Sequence, residues 1–431
     1  MENTRRNFIK QAGGVAGGIA TLSLLDLIPM EGVKAATARI EHLPAKVSAM
    51  DEDYWFTIQQ SYSVSSEIIN LNNGGVSPQP LVTQNALDRY VRICNEGPAY
   101  YMWTILGQGR ENVRNKLAEL AGVNAEEVVI NRNSSEGLET IIFGLDLKAG
   151  DEVLITNQDY PNMMNAWNQR VKRDGIKLNI ISIPVAPKDV SEITEAYRKG
   201  MTAKTKIVHV SHVIFMTGQI NPVREIADMA HEHGCEVICD AAHSFAHVDY
   251  KIYDLHVDYW ATSLHKWLCA PFGTGMMWIK KDKIEKLYPL FGAPKDFSVT
   301  DIRKFEHLGT RSFPIELAIG NSLDFHNGIG AKRKEERLRY LKNYWAERVG
   351  KIPKVKFNTS LKDNQSCALC NFTIEGMEHS KIQEELFSKY KIYTTQISHD
   401  EFKGVRVTPH VYTKLKDLDF FINAVEKIAK G

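Results

Sequence analysis

The sequence predicts an α/β protein in which a mostly parallel sheet carries helices on its faces, followed by a smaller α+β domain. Two observations support this prediction. Short apolar segments alternate with amphipathic segments through most of the chain, which is typical of parallel strands joined by helices. The chain has 431 residues, of which 43% are hydrophobic and 24% are charged, so it can form more than one domain with a hydrophobic core.

The elements of the larger domain follow one another along the chain. The predicted helices are NVRNKLAELAG, SSEGLETIIFGL, PNMMNAWNQRVKRDG and PVREIADMAHEHG. The predicted strands are EEVVINR, DEVLIT, LNIISIPV, KIVHVSHV, EVICDA and DYWATS. In such sheets ligands bind at the carboxyl ends of the strands, so polar residues that follow strands are candidate site residues.

The C-terminal part of the chain has a different pattern. A highly charged helix, AKRKEERLRYLKNYWAERVG, precedes the apolar segment SCALCNFTI, a further helix, the segments YKIYTTQI and GVRVTPHVY, and a final amphipathic helix. We therefore place an N-terminal segment at residues 39–70, the large domain at 71–315 and the small C-terminal domain at 316–431.

Residues 1–38 resemble a twin-arginine (Tat) export signal. The segment TRRNFIK at residues 4–10 contains the paired arginines, a glycine-rich apolar stretch follows, and Ala36-Thr37-Ala38 offers a small-residue cleavage site. Asp26 and Pro29 interrupt and end the apolar stretch, which favours a cleaved signal over a permanent membrane anchor. We expect export by the Tat machinery to the periplasm or another extracytoplasmic compartment. Because that machinery carries folded proteins, often with a cofactor, the signal favours a cofactor-containing protein.

Composition argues against several classes of protein. The net charge of +1 provides no field for binding nucleic acid. The six cysteines are too few and too scattered for a disulfide scaffold. The CALC segment at 367–370 has the spacing of half a zinc or redox site, but it lies in an apolar segment and has no second pair. We therefore expect neither a metal site nor a nucleic-acid partner.

One lysine stands in apolar surroundings. In the segment TSLHKWLCAPFGTG, Lys266 is flanked by residues typical of a protein interior, and Asp240 ends the buried strand EVICDA that precedes it. A sheltered lysine and a buried carboxylate suit pyridoxal phosphate (PLP), whose aldehyde needs an unprotonated amine and whose ring nitrogen needs a partner that keeps its proton. The segment NSSEGLET places Ser134 and Ser135 at a helix start, where a phosphate finds donors.

The segment VSHVIFMTGQINPVREIADMAHEHGCEVICDAAHSFA, followed by ATSLHKW, resembles the class V aminotransferase family of fold-type I PLP-dependent enzymes. The segments LNNGGVSP and GVRVTPHVY are most similar to its isopenicillin N epimerase-like branch. The resemblance extends from about residue 71 to the C-terminus. It implies a large domain with a mostly parallel seven-stranded sheet, and it implies PLP as the cofactor.

The resemblance also implies roles for residues at the cofactor. Lys266 would be the catalytic lysine, which forms the Schiff base and later moves the α-proton, and Asp240 would pair with the pyridinium nitrogen. Tyr160 would stack on the cofactor, and His243 would lie beside its ring oxygen. The phosphate would be held by Ser134, Ser135, Ser263 and His265.

Three further roles concern the substrate and the neighbouring subunit. Arg406 would bind the substrate α-carboxylate, a bidentate task that suits a guanidinium. Asn73 would lie on the loop near the substrate. Thr310 would reach the phosphate of the neighbouring subunit, which implies a homodimer with shared active sites.

The residues leave the reaction open. Transamination requires the fewest additional groups, so it stands first among the outcomes for an amino-acid or peptide-derived substrate. Epimerisation needs a second proton donor that the sequence does not identify. A lyase of the desulfurase or kynureninase type is a further alternative, but the interval between Cys269 and Cys367 lacks the cysteine that persulfide formation needs. A non-catalytic binding scaffold is the remaining alternative, since fold alone does not establish function.

Overall fold

The structure is a computed structural model that describes residues 30 to 430. The paired arginines and the apolar stretch of the predicted export signal lie outside the described residues. Within residues 30–430, no helix combines the length and the apolar character needed to cross a membrane. In the same range, no group of three or more His, Cys, Asp or Glu side chains is placed to hold a metal ion.

A seven-stranded sheet forms the centre of the large domain. Its strands are β2 Val128–Asn131, β3 Glu152–Thr156, β4 Lys177–Ile181, β5 Thr205–Ser211, β6 Glu236–Asp240, β7 Tyr259–Ser263 and β8 Gly275–Ile279. They lie in the order β2-β8-β7-β6-β5-β3-β4. The pairs from β7 to β4 are parallel, whereas β8 is antiparallel to both of its neighbours. The predicted mostly parallel, seven-stranded α/β sheet is therefore confirmed.

Helices cover both faces of this sheet. The helices of this part of the chain are α4 Leu81–Glu96, α5 Gly107–Ala121, α6 Ser134–Gly144, α7 Pro161–Asp174, α8 Ser191–Gly200, α9 Val223–Glu232 and α10 Phe313–Ile329. Alternate residues of β6 join opposite cores: Val237 and Cys239 pack on one face and Ile238 on the other. Burial on both faces explains why the central strands are continuous apolar segments in the sequence.

The C-terminal part of the chain forms a second core. A four-stranded antiparallel sheet consists of β9 Val355–Phe357, β10 Cys370–Ile374, β12 Thr395–Ser398 and β13 Lys403–Val407, in the order β12-β13-β10-β9. The helices are α11 Ala331–Val349, α12 His379–Tyr390 and α13 Leu415–Lys430. A short strand near the N-terminus, β1 Ile69–Asn70, pairs with β11 Ile392–Tyr393 in this region. Helix α10, which spans the predicted boundary at residue 315, packs on α4 and α5 of the large domain.

The N-terminal end of the described chain is helical and packed. Helix α1, residues 30–40, buries Met30 and Val33 in a core that it shares with helix α3 Glu52–Gln59; the short helix α2 Ala45–Ser48 lies between the two in the chain. The Thr37 hydroxyl donates a hydrogen bond of 2.8 Å to the carbonyl oxygen of Gly328 in α10. The predicted cleavage site at residues 36–38 thus lies in a packed helix, so a protease that needs extended chain must first displace α1.

Candidate active site

A cavity of about 460 Å³ lies at the carboxyl edge of the parallel strands. It gathers most of the residues that the sequence singled out: Ser134, Ser135, Tyr160, Asp240, His243, Ser263, His265, Lys266 and Arg406. Strand ends supply nearly all of them, because parallel strands bring their carboxyl ends to one edge of the sheet. Arg406 comes from β13 of the small domain, so the cavity lies between the two cores.

Lys266 faces this cavity from the turn that follows β7. Its Nζ lies 3.3 Å from Nε2 of His243. Burial lowers the pKa of Lys266 from its ordinary value of 10.5 to about 8, with Arg406 adding to the effect and Asp240 opposing it. A lysine with this pKa has a much larger neutral fraction near pH 7 than an ordinary lysine, so its amine can act as a nucleophile.

The turn that carries Lys266 is anchored by its apolar neighbours. Trp267 is fully buried and stacks on the ring of His247, with 3.8 Å between ring centroids and 10° between planes. Leu264 and Leu268 are also buried. These contacts hold the backbone of the turn while leaving the lysine amine in the cavity, which accounts for the apolar surroundings of Lys266 in the sequence.

We expect the loading of PLP on Lys266 to depend on pH with a midpoint near the lowered pKa. Only the neutral amine attacks an aldehyde, so the loading rate should rise about fivefold between pH 7 and pH 8 and level off above pH 9. Stopped-flow absorbance with PLP and cofactor-free protein would measure this rate. A midpoint near 10.5, the value of an exposed lysine, would contradict the assignment.

Asp240 ends β6 and presents a carboxylate to the cavity. Oδ1 accepts a hydrogen bond of 2.9 Å from the backbone N–H of Ala242. Among the described residues, Oδ2 has no hydrogen-bond partner, and Asp240 lines the cavity. Burial raises the pKa of Asp240, while the Ala242 bond and the charges of His209 and Lys266 oppose the rise. One carboxylate oxygen is therefore available to a ligand.

His243 lies beside Lys266 with one ring nitrogen unused. Nδ1 is buried and has no hydrogen-bond partner among the described residues. Burial, reinforced by the positive charges of Lys266 and Arg406, keeps the pKa of His243 well below its ordinary value, so the ring is neutral. A buried polar atom without a partner is costly, and its position at the cavity indicates that a ligand atom satisfies it.

The start of α6 forms the polar end of the cavity. The hydroxyl of Ser263 accepts a bond of 2.9 Å from the backbone N–H of Ser134, and the two hydroxyls are also 2.9 Å apart. A Cβ on Gly275 would lie 2.6 Å from the backbone of Asn133, so only glycine allows β8 to approach the residue that caps α6. Backbone donors and hydroxyls at a helix N-terminus are suited to a phosphate.

His265 lies on the same turn as Lys266. Its Nδ1 is 3.0 Å from the carbonyl oxygen of Thr274 and donates a hydrogen bond to it. Burial lowers the pKa of His265, with the charge of Lys266 adding to the effect. The bond to Thr274 fixes the ring, so its other edge can contact a group bound in the cavity.

Arg406 is a buried cation with an incomplete set of partners. Nη1 donates to the carbonyl oxygen of Phe215 at 2.9 Å, and Nη2 donates to Oδ1 of Asn72 at 2.8 Å. Nε is buried and has no partner among the described residues. Burial lowers the pKa of Arg406 to about 10, with Tyr160 opposing the shift, so the group stays charged at neutral pH. A buried guanidinium without a carboxylate partner favours an anionic ligand.

Two of the predicted site residues, Asn73 and Thr310, do not line this cavity. Asn73 is fully buried: its amide donates to the carbonyl oxygen of Thr408 at 2.8 Å and its Oδ1 accepts from the Tyr412 hydroxyl at 2.6 Å. It shapes the loop without lining the cavity, and its neighbour Asn72 is the residue that contacts Arg406. Thr310 lies in a second cavity of about 440 Å³, and its predicted role toward a neighbouring subunit stays a prediction.

Comparison with known proteins places the chain in a family. Residues 69–412 match the family described as aminotransferase class-V. The isopenicillin N epimerase of Amycolatopsis lactamdurans is 25% identical over 394 residues, covering 87% of this chain and 99% of that protein. A cysteine desulfurase of Haloferax volcanii is 24% identical over 389 residues, covering 84% of this chain and 89% of that protein.

Solved structures show the same fold. A cysteine desulfurase from Thermococcus onnurineus NA1, in its apo form, has a TM-score of 0.76 at 22% identity, covering 87% of this chain and 98% of that one. A variant of C-DES with glycine covalently linked to the PLP cofactor has a TM-score of 0.78 at 20% identity, covering 85% of this chain and 98% of that one. The predicted fold-type I architecture is therefore confirmed, and the chain belongs to the class V aminotransferase family.

Proposed function

We propose that this protein is a PLP-dependent enzyme that removes the α-proton of an amino acid or an amino-acid-derived substrate. One observation carries the proposal: a buried arginine with an unpartnered Nε and a lysine with a lowered pKa face the same cavity. Arg406 would bind the substrate carboxylate, and this would place the substrate amino group and α-carbon near Lys266. The single cavity thereby brings a carboxylate-binding group and a base to one substrate.

The residues of the cavity fit PLP. When bound, PLP draws electron density from the substrate and makes its α-proton acidic. Asp240 would hold the proton on the ring nitrogen through its free carboxylate oxygen, and His243 would donate from Nδ1 to an oxygen of the ligand. The start of α6 at Ser134 and Ser135 would bind the phosphate. Lys266 would bind the cofactor covalently and afterwards take the α-proton at Nζ.

The outcome after proton removal distinguishes the possible enzymes. Transamination needs only Lys266 to move the proton, so it is the first candidate, and epimerisation is the second. Persulfide chemistry of the desulfurase type needs a cysteine at the substrate. All six cysteines lie in the described part of the chain and are buried, and none lines the cavity. This observation argues against a desulfurase, although desulfurases are among the relatives.

An absorbance spectrum with PLP, taken before and after borohydride, tests cofactor binding. Proteinogenic L-amino acids in D2O then test catalysis, with α-deuteration followed by NMR. We expect a near-visible band that borohydride fixes on the protein, and α-hydrogen exchange in at least one amino acid. Keto-acid formation would identify a transaminase, and appearance of the D-enantiomer would identify an epimerase. Absence of both band and exchange would overturn the proposal and favour a binding scaffold.

We also propose export by the Tat machinery to the periplasm, supported by the segment TRRNFIK and the apolar stretch after it. An exported enzyme of this kind would act on a substrate found outside the cytoplasm, and a peptide-derived amino acid is one such substrate. Cell fractionation of the wild type beside a variant with Arg5→Lys and Arg6→Lys would test this. Equal periplasmic amounts of the two proteins would contradict it.

A homodimer is the proposed oligomeric state. Thr310 lies in a second cavity, whose lining includes the exposed apolar side chains of Phe272 and Phe291. Exposed apolar side chains around a residue predicted to serve a neighbouring site are consistent with an interface between two copies. Light scattering would test this, and a mass near 48.8 kDa, that of one chain, would contradict it.

A further inference from the structure

Tyr160 and Lys266 enter the cavity from opposite sides of Asp240. Lys266 follows β7, which neighbours β6 on one side, whereas Tyr160 follows β3, which lies two strands from β6 on the other side. Neighbouring strands are about 4.8 Å apart, so the two strand ends are separated by roughly 14 Å. Two long side chains that point into the space between them can therefore approach one substrate atom from two directions.

Tyr160 lies near the group that holds the substrate. Its ring meets the ring of Phe215 edge-on, with 5.3 Å between centroids and 89° between planes, and the carbonyl oxygen of Phe215 accepts a hydrogen bond from Arg406. The electrostatic interaction of Arg406 with Tyr160 opposes the effect of burial, which lowers the pKa of Arg406. Arg406 also adds to the lowering of the pKa of Lys266. The carboxylate-binding group is thus electrostatically coupled to both side chains.

The two histidines that line the cavity contact Lys266 or lie on the turn that carries it. The titratable side chains that line it are those of Tyr160, Asp240, His243, His265, Lys266 and Arg406. His243 lies 3.3 Å from Lys266, and His265 is fixed to Thr274 on the lysine turn, so both belong to the lysine side. Tyr160 is 40% exposed, so this residue of the cavity is in contact with solvent. In the described cavity, Tyr160 is therefore the titratable donor on the side away from Lys266.

We infer that Tyr160 is a catalytic acid that protonates the substrate α-carbon from the side opposite Lys266, which makes epimerisation an outcome of this site. The inference rests on the proposed function, with PLP as the electron-withdrawing group. Lys266 Nζ takes the α-proton as the Cα–H bond breaks, and PLP, when bound, would accept the electron pair of that bond. Tyr160 Oη gives its proton to the opposite face, a new Cα–H bond forms, and the tyrosine oxygen regains a proton from solvent. Lys266 returns its proton to solvent, so the net change is inversion alone.

The variant Tyr160→Phe tests this inference, because it removes the hydroxyl and keeps the ring. The probe is the L-amino acid that exchanges its α-hydrogen fastest in the D2O assay, and the readout is the ratio of inverted to retained α-deuterated product. Tyr253→Phe is the matched control, since the Tyr253 hydroxyl contacts Glu127 away from the cavity. A side chain that donates a proton in the transition state typically raises the reaction rate by a factor of about 10² to 10⁴.

We expect wild type and Tyr253→Phe to form the deuterated D-enantiomer. In Tyr160→Phe, inversion should fall at least about a hundredfold, while exchange with retention and the absorbance band persist. Exchange with retention alone in the wild type would overturn the inference and leave the proposed function standing. An equal fall of inversion and retention in Tyr160→Phe would also overturn it, because a structural role affects both. Absence of exchange in the wild type would instead overturn the proposed function, and with it the inference.

Discussion

Replacement of Lys266 with alanine is expected to abolish covalent attachment of PLP and to lower turnover by at least about a thousandfold. Lys266 is the lysine that lines the cavity, and its amine has a lowered pKa. Its loss would remove both the proposed attachment point and the proposed base for the α-proton. Absorbance before and after borohydride, together with α-hydrogen exchange in D2O, measures the two losses separately.

A second buried lysine provides an internal control for this experiment. Burial also lowers the pKa of Lys334 to about 8, but Lys334 lies outside the cavity and its amine donates to the carbonyl oxygen of Trp267. Peptide mapping of borohydride-treated wild type should therefore find the label on Lys266 and leave Lys334 unmodified. A label on Lys334, or an unchanged spectrum in Lys266→Ala, would show that a lowered pKa without the cavity geometry suffices.

The second large effect is expected for Asp240→Asn. The carboxylate is the anion that would keep a proton on the ring nitrogen of PLP, and an amide of the same shape cannot provide that charge. Turnover should fall by about a hundredfold to a thousandfold, comparable to removal of one preorganised charge-stabilising group. PLP should still attach to Lys266, because the lysine turn does not depend on the carboxylate for its anchoring.

The matched control for Asp240→Asn is Asp249→Asn, which changes the same residue type at an exposed position after the same strand. It should retain wild-type turnover and the wild-type absorbance band. Thermal unfolding of both variants separates loss of chemistry from loss of folding. Wild-type turnover in a folded Asp240→Asn protein would contradict the role assigned to this carboxylate.

Much of the fold was predictable because the patterns of apolar residues that indicate its strands and helices lie within short segments of the chain. The strands β2, β3, β5 and β6 are buried on both faces, so they appear in the sequence as short apolar segments between amphipathic helices. Strand β8 escaped prediction, although GMMWI is equally apolar, because no helix separates it from β7. Its antiparallel pairing with β7 and β2 is a tertiary arrangement that neither neighbouring segment indicates.

The cofactor side of the site was predictable for the same reason. Asp240 ends an apolar strand, Lys266 lies within an apolar turn, and Ser134 begins a helix, so each residue has a local pattern that marks it. The alternation of strands and helices then places all three at one edge of the sheet. The resemblance to a family implies a role for each of these three residues. Their proximity at one edge of the sheet already follows from the order of strands and helices.

The substrate side depended on contacts that no local pattern contains. Arg406 is held by Asn72, 334 positions earlier, and by the carbonyl of Phe215, 191 positions earlier. Asn73 looked like the substrate residue of its loop, yet the fold directs its amide to Thr408 and leaves Asn72 to contact the arginine. Adjacent residues of a loop point in different directions, and only the packing of the two cores decides which one reaches the cavity.

The sequence by itself determined the α/β class, the lysine and carboxylate at the strand ends, and the helix start suited to a phosphate, because each depends on neighbours close along the chain. Tertiary structure alone decided the unpartnered Nε of Arg406, the packed helix at the predicted cleavage site, and the meeting of Tyr160 and Lys266, which follow strands three positions apart, at one cavity. Those features arise where segments far apart in the chain pack together. The contacts that stabilise them join residues distant in sequence, so no single segment contains a pattern that predicts them.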